Sequence, residues 1–166
     1  MRLCKEQFDN WHPILTLYRS SSYDPCVKLD LVLDFKTNSL SYQVICGAHD
    51  RKFEFKPFRS VRLADSISKA NDALEYLNIP DQLQENYPGF RGFEHVELTR
   101  YGDDSYYVRL LARIEFWKTP RKFHYIVEGP AQGRVSNCKH LDSAIDAFNK
   151  SAEKVDNHRE HLSEVV

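Results

Sequence analysis

The sequence predicts an α+β protein of two tandem repeats, each with roughly four antiparallel strands followed by one amphipathic helix. Three observations predict this class. Polar and apolar residues alternate in short runs, two longer segments carry apolar residues at helical spacing, and these elements recur in the same order in both halves of the chain. Because one such repeat is small for an independent core, we expect the two to pack as one pseudo-twofold body.

The chain has 166 residues, 42% of them hydrophobic and 28% charged, with a formal net charge of −1. These values predict one compact domain, residues 1–166, and exclude a large multidomain enzyme. No apolar run approaches the roughly 20 residues of a membrane-spanning helix, so we expect no membrane partner. The first residues lack the apolar segment of a signal peptide, and the four cysteines lack C-x-x-C spacing. We therefore expect a cytoplasmic protein without a metal or other cofactor.

The first repeat, about residues 14–77, begins with strands in which alternate residues are apolar, most clearly in residues 29–35 and 53–56. Such alternation is typical of antiparallel strands with one buried face. Pro57 has no amide hydrogen and is expected at a strand end or a sheet edge. The strands are predicted over residues 15–19, 27–35, 40–47 and 52–58.

A helix is predicted after these strands, from about residue 62 to 77, because apolar residues recur there at helical spacing. Its apolar positions are Leu63, Ile67, Ala70, Leu74 and Leu77. Residues 78–93 are rich in Pro, Gly and Asn and are predicted to be a connector with one short helical turn.

The second repeat, about residues 96–155, presents the same elements in the same order. Short motifs align the two halves: Leu33-Asp-Phe with Ile114-Glu-Phe, Tyr42-x-Val with Tyr125-x-Val, and Asp65-Ser with Asp142-Ser. The strands are predicted over residues 96–101, 106–116 and 122–129 and around 134–136. A helix is predicted from about 139 to 155, and the polar residues 156–166 are predicted to form a flexible tail.

Charge is distributed unevenly along the chain. The net charge is +4 over residues 51–62 (five basic against one acidic) and +5 over 105–140 (seven against two). It is −6 over residues 63–104 (three against nine) and −3 over 141–166 (three against six). The strands are thus basic, whereas the helices and the connector are acidic. If a helix covers one face of each sheet, these cations collect on the other face.

Aromatic residues alternate with these cations, although any single ring in such a strand is more often part of the core. Cations neutralise phosphates, and exposed rings stack on unpaired bases. The candidate binding residues are Tyr106, Arg109, Arg113, Trp117, Lys118, Arg121, Lys122, Arg51, Lys52 and Lys56. Because Arg109 and Arg113 are four residues apart, they share a strand face.

The predicted architecture is similar to that of PUR repeats and Whirly-type proteins, which bind single-stranded nucleic acid. The likeness concerns the fold alone, because no signature residues of those families are present. Together with the distribution of cations and aromatic residues, this architecture favours a non-catalytic protein that binds single-stranded nucleic acid on a basic, aromatic sheet. The acidic exposed sides of both helices disfavour duplex recognition by a helix in the major groove.

Two other functions remain open. One is a small protein antagonist or adaptor, such as a mobile-element-encoded inhibitor of a host nuclease or defence complex, with residues 63–104 imitating a phosphate backbone. The other is a hydrolase or nuclease built on Asp103-Asp104 and His49. No phosphate-binding loop, H-E-x-x-H or G-x-S-x-G motif is present, so we expect no enzymatic activity. Asp103-Asp104 is predicted to be a hairpin loop, and His158 and His161 to belong to the polar tail. The sequence leaves open whether the protein forms a homodimer.

Overall fold

The computed structural model describes residues 2–48, 56–91, 94–114, 122–130 and 135–165. It contains two four-stranded antiparallel sheets, each followed by an α-helix, which confirms the α+β class. The chain divides into two compact units, which we call the first-repeat unit and the second-repeat unit. The described residues of the first-repeat unit are 12–48 and 56–91, and those of the second-repeat unit are 2–11, 94–114, 122–130 and 135–165.

In the first-repeat unit the strands pair in chain order and a helix follows: β1 (Ile14–Arg19), β2 (Cys26–Asp34), β3 (Ser39–Gly47), β4 (Phe58–Ser60) and α1 (Leu63–Tyr76). Alternate residues of β2, from Val27 to Leu33, are fully buried together with Val44 of β3. Phe58 lies opposite Val44, and Lys69 of α1 lies over the Phe58 ring. The helix therefore covers this apolar face, as the alternation in the sequence predicts.

The second-repeat unit has the same arrangement: β5 (His95–Gly102), β6 (Tyr107–Arg113), β7 (His124–Glu128), β8 (Val135–Cys138) and α2 (Leu141–Val165). Val108, Leu110 and Tyr125 are fully buried on one face of the sheet, and Phe148 is fully buried on α2. The core of this unit thus lies between the sheet and α2.

An N-terminal segment also packs on α2. It contains a short 3₁₀ helix, Lys5–Phe8, in which the Phe8 ring is buried. The Leu3 amide donates to Asn149 Oδ1 at 2.8 Å, and Asn149 Nδ2 donates to the Leu3 carbonyl at 3.0 Å. This paired hydrogen bond joins two parts of the chain that are far apart in sequence, so the sequence pattern gave no indication of it.

The strand registers of the two units correspond. Each first strand contains a bulge, at Leu17 in β1 and at Leu98 in β5. Tyr42 on β3 faces Leu31, and Tyr125 on β7 faces Ala112 at the corresponding place in the second sheet. The two sheets therefore share not only their strand order but also a bulge in the first strand. The alternation of polar and apolar residues does not by itself require this bulge.

The two helices can be aligned by their buried residues, and this alignment differs by one residue from the alignment based on the Asp-Ser motifs. Matching buried positions pair Ser66 with Ala144, Ile67 with Ile145, Ala70 with Phe148 and Leu74 with Ala152. Asp65 thus corresponds to Ser143. Two exposed polar residues carry less information about alignment than the buried residues that determine how a helix sits on its sheet.

Most element bounds differ from the prediction by one to three residues, and two elements differ in a way that matters for the description of the fold. The described fourth strand is Phe58–Ser60, immediately after Lys56 and Pro57, whereas residues 52–55 of the predicted strand lie outside the described residues. Helix α2 continues to Val165, although its buried residues end at Val155. Within the described ranges, neither α-helix combines the length and apolar character needed to cross a membrane.

The chain after α1 packs closely on the rest of the first-repeat unit, and its described residues include a short 3₁₀ helix, Pro88–Arg91. Ile79, Leu83 and Phe90 are buried. Asn71 on α1 fixes the segment, because its amide donates to the Leu83 carbonyl at 3.0 Å and accepts from the Leu83 amide at 2.8 Å. Residues rich in Pro and Asn thus form an ordered part of this unit.

Candidate functional site

Five of the ten predicted binding residues lie in the described ranges: Tyr106, Arg109, Arg113, Lys122 and Lys56. The other five, which are Arg51, Lys52, Trp117, Lys118 and Arg121, lie outside the described residues. Lys56 is exposed next to β4 in the first-repeat unit, whereas the other four described residues belong to the second-repeat unit. The part of the candidate site that the structure describes is therefore mainly in the second-repeat unit.

Arg109 is held in an ionic network on the face of the second sheet opposite α2. We call the sheet face opposite the helix the far face. Arg109 lies directly across from Glu128 and donates to its Oε2 atom at 2.8 Å from Nη2, while Nη1 is 3.5 Å from Glu97 Oε2. Hydrogen bonding to Glu128 raises the pKa of Arg109 above its usual value. The Arg109 charge is therefore already balanced inside the sheet.

Glu97 also binds Arg100, whose Nε and Nη2 atoms donate to the two carboxylate oxygens at 3.1 and 3.0 Å. Hydrogen bonding to Arg100 and, less strongly, to Arg109 lowers the pKa of Glu97. The Arg100 guanidinium in turn lies 4.4 Å from the centre of the Tyr107 ring. This end of the far face therefore combines two arginines with two glutamates, and its positive charge is largely compensated.

Arg113 stands in a different environment at the other end of the same face. His95 on β5 and His124 on β7 lie directly opposite it, so the three side chains form one row across the sheet. Lys122 precedes His124 by two residues, and the buried Phe123 between them faces the other way. We call His95, Arg113, His124 and Lys122 the cationic row.

The cationic row differs from the Arg109 network in its charge balance. Among the described residues, no acidic side chain forms an ion pair with Arg113 or Lys122. His95 and Lys122 are exposed, and Arg113 is half-buried. The row therefore presents positive charge that no described acidic residue balances, together with the exposed imidazole of His95, a combination suited to an anion such as phosphate.

The aromatic residues of the second sheet are less available than the sequence suggested. Phe123 and Tyr125 are buried and pack edge to face. The Tyr106 ring stacks on His158 of α2 with their centroids 4.0 Å apart. These rings are engaged within the protein, so the described part of the site offers cations rather than free aromatic surfaces.

The centres of both far faces are buried. In the second sheet, Leu111 and Ile126 between the Arg109 network and the cationic row are 4% and 6% exposed. In the first sheet, Val32 and Asp30 hold the central positions and are also buried. We expected cations to spread over an exposed face, but in the second sheet the described cations are confined to its two ends.

Other residues with catalytic or metal-binding potential serve the local structure. Asp103 Oδ1 accepts hydrogen bonds from the Ser105 amide, the Ser105 hydroxyl and the Tyr106 amide, and these bonds lower the pKa of Asp103. This is the geometry of a hairpin turn. His49 lies outside the described residues. Across the described ranges, no cluster of three His, Cys, Asp or Glu side chains is arranged to hold a metal ion.

His95 and His124 are not among the binding residues that the sequence pattern predicts. Each histidine becomes part of the site only because the strand register places it opposite Arg113. Only knowledge of that register could have identified them. No family model, curated protein or solved structure matches the chain.

Proposed function

We propose that this chain is a non-catalytic protein that binds single-stranded nucleic acid, with phosphate contacts centred on the cationic row. The observation that carries the proposal is the absence of a described acidic partner for Arg113 and Lys122, in a sheet where Arg109 has two such partners. Uncompensated cations bind phosphate by releasing condensed counterions. The exposed His95 adds a hydrogen-bond donor and a flat ring beside the two cations.

Two features favour a single strand over a duplex. The exposed side of α1 carries Asp65, Asp72 and Glu75, which would repel a phosphate backbone in a major-groove complex. The cationic row is short, and a flexible single strand adapts to a small group of cations more readily than a stiff duplex.

The alternative of a protein antagonist that imitates a phosphate backbone receives less support. Three acidic residues of the segment 63–104 are engaged internally: Asp81 with Tyr18 and Ser21, Glu97 with Arg100 and Arg109, and Asp103 within its own turn. A phosphate mimic needs its carboxylates free for the partner. Recovery of the same protein partner from a nuclease-treated lysate would favour this alternative.

The proposal is tested by fluorescence anisotropy with a labelled single-stranded DNA of about 20 nucleotides. The wild-type protein should bind at low salt, and the Arg113→Gln/Lys122→Gln variant should bind about tenfold more weakly. The control Arg109→Gln/Glu128→Gln removes a charge pair from the same face without changing the net charge, and its affinity should stay within about twofold of wild type. Absence of wild-type binding at low salt would refute the proposal.

A further inference from the structure

A polar groove lies on the helix side of the second-repeat unit. Its volume is about 410 Å³, and it is bounded by α2, by Gly129 at the end of β7 and by β8. This volume is within the range of about 300 to 1,000 Å³ that is usual for small-molecule sites. The side chains that line it are mostly hydroxylated or charged: Ser136, Ser143, Asp146, Lys150, Ser151 and Lys154.

The groove exists where the second repeat has smaller side chains than the first. In the first-repeat unit, Phe58 of β4 and Lys69 of α1 pack together, with the ammonium 5.7 Å from the ring centre. Strand register and helix burial place Ser136 and Ala147 at the corresponding positions of the second-repeat unit. Space that a ring and a long aliphatic chain fill in one repeat is therefore open in the other.

The two lysines of the groove are specific to the second repeat. Lys150 and Lys154 are one helical turn apart, so their ammonium groups reach the same region. The corresponding residues of α1 are Asp72 and Tyr76, so this charge is not inherited from the shared fold. Among the described residues, neither lysine forms an ion pair, and Asp146 is the single acidic residue lining the groove.

We propose that this groove binds a phosphorylated sugar. Lys150 and Lys154 contact the phosphate, because two ammonium groups one turn apart match a dianion. The hydroxyls of Ser143 and Ser151 lie along the same side of α2 and supply further donors. The Asp146 carboxylate accepts hydrogen bonds from the sugar hydroxyls, and its negative charge disfavours inorganic phosphate that is bound without a sugar. The groove uses none of the cationic row, so the inference does not rest on the proposed function.

The test is a titration of ¹⁵N-labelled protein with ribose 5-phosphate, followed by NMR. Saturable shifts are expected at the amides of Ser143 and Ser151, with inorganic phosphate binding more weakly and ribose alone more weakly still. Lys150→Gln/Lys154→Gln should reduce the affinity for ribose 5-phosphate about tenfold or more. The control Lys36→Gln/Arg62→Gln removes the same charge from exposed residues of the first-repeat unit and should leave the affinity unchanged.

Two further variants separate the roles of the lining residues. Asp146→Asn should strengthen the binding of inorganic phosphate, because the substitution removes a repulsive charge. The ratio of the affinity for ribose 5-phosphate to that for inorganic phosphate should therefore decrease. Ser136→Phe, which restores the residue type of the first repeat, should fill the groove and abolish binding while the other resonances stay dispersed. The proposal is overturned if millimolar ribose 5-phosphate causes no saturable shift, or if the double lysine variant binds it as tightly as wild type.

Discussion

Asp30 lies at the centre of the far face of the first sheet and is 1% exposed. Its Oδ1 atom has no hydrogen-bond partner among the described residues. The residue at the corresponding place in the second sheet is Leu111, which is buried on the same side of its strand. A buried polar atom without a partner costs about 1–3 kcal/mol, so Asp30 reduces the stability of an otherwise apolar position.

Replacing Asp30 by the residue of the second repeat should therefore stabilise the protein. We expect Asp30→Leu to raise the free energy of unfolding by about 1–3 kcal/mol in urea denaturation. The reciprocal change, Leu111→Asp, should lower it by a similar amount or more. A destabilised Asp30→Leu variant would show that the carboxylate contributes to the native state.

Asp81 joins the segment after α1 to the start of the first sheet. Its carboxylate accepts hydrogen bonds from the Ser21 hydroxyl and from the Tyr18 hydroxyl, both at 2.6 Å, and from the Ser21 amide at 2.8 Å. These bonds, led by that from the Ser21 hydroxyl, lower the pKa of Asp81. Burial raises the pKa of Tyr18, and the hydrogen bond to Asp81 is the next largest cause of this increase. The ionised form of Asp81 is thus the one that the fold stabilises.

This pKa shift predicts a pH-dependent contribution to stability. A lowered folded-state pKa stabilises the fold above the unfolded pKa of about 4, and the contribution disappears as the pH falls through the folded-state value. At pH 7 the free energy of unfolding of the wild type should exceed that of Asp81→Asn by about 1 kcal/mol. This difference should shrink below about pH 4. Urea denaturation at several pH values measures it. A difference that is independent of pH would contradict the role of the charge.

Individual contacts of this kind could not be read from the sequence. Arg109 was expected to be a free cation because the pattern shows which strand face it occupies but not which residue faces it. Glu128 becomes its partner through the register of β6 and β7. The same register makes His95 and His124 part of the cationic row. A residue's face follows from alternation, whereas its neighbour depends on pairing across the sheet.

At the scale of elements, the strands and helices were largely predictable because burial imposes a period on each of them. The end of α2 was not. Residues 156–165 lack the apolar stripe that marks the preceding part of the helix, so the sequence predicted a tail. Contacts from the β5–β6 hairpin account for the difference. The Tyr101 hydroxyl donates to Asp156, Arg159 lies over the Tyr101 ring, and Tyr106 stacks on His158.

These contacts predict that the end of α2 depends on the hairpin. In a Tyr101→Phe/Tyr106→Ala variant, the hydrogen bond and the stacked pair are lost, and residues beyond about Val155 should fray. Amide hydrogen exchange should become faster in residues 157–165 while the buried part of α2 stays protected. The control Tyr76→Phe changes an exposed residue of α1 and should leave exchange in α2 unaltered. Unchanged protection of residues 157–165 would show that the helix end is stable by itself.

At the scale of the whole molecule, a net charge of −1 conceals strong local differences. The summed charge of a segment predicted that the strands are basic, but not which cations remain uncompensated. Residues 105–140 contain both Arg109, which is paired with Glu128, and Arg113, which has no acidic partner among the described residues. The net acidic segment 141–166 contains the two lysines of the groove. Charge must be assigned to surfaces, which only the fold defines.

The most direct test of the central claim is the salt dependence of binding to single-stranded DNA. Each phosphate contact contributes about 0.7 to the slope of the logarithm of affinity against the logarithm of salt concentration. Between about 50 and 200 mM salt, Arg113→Gln/Lys122→Gln should therefore show a slope about 1.4 shallower than wild type, and Arg109→Gln/Glu128→Gln should match wild type. Equal slopes for all three proteins would contradict the assignment of phosphate binding to the cationic row.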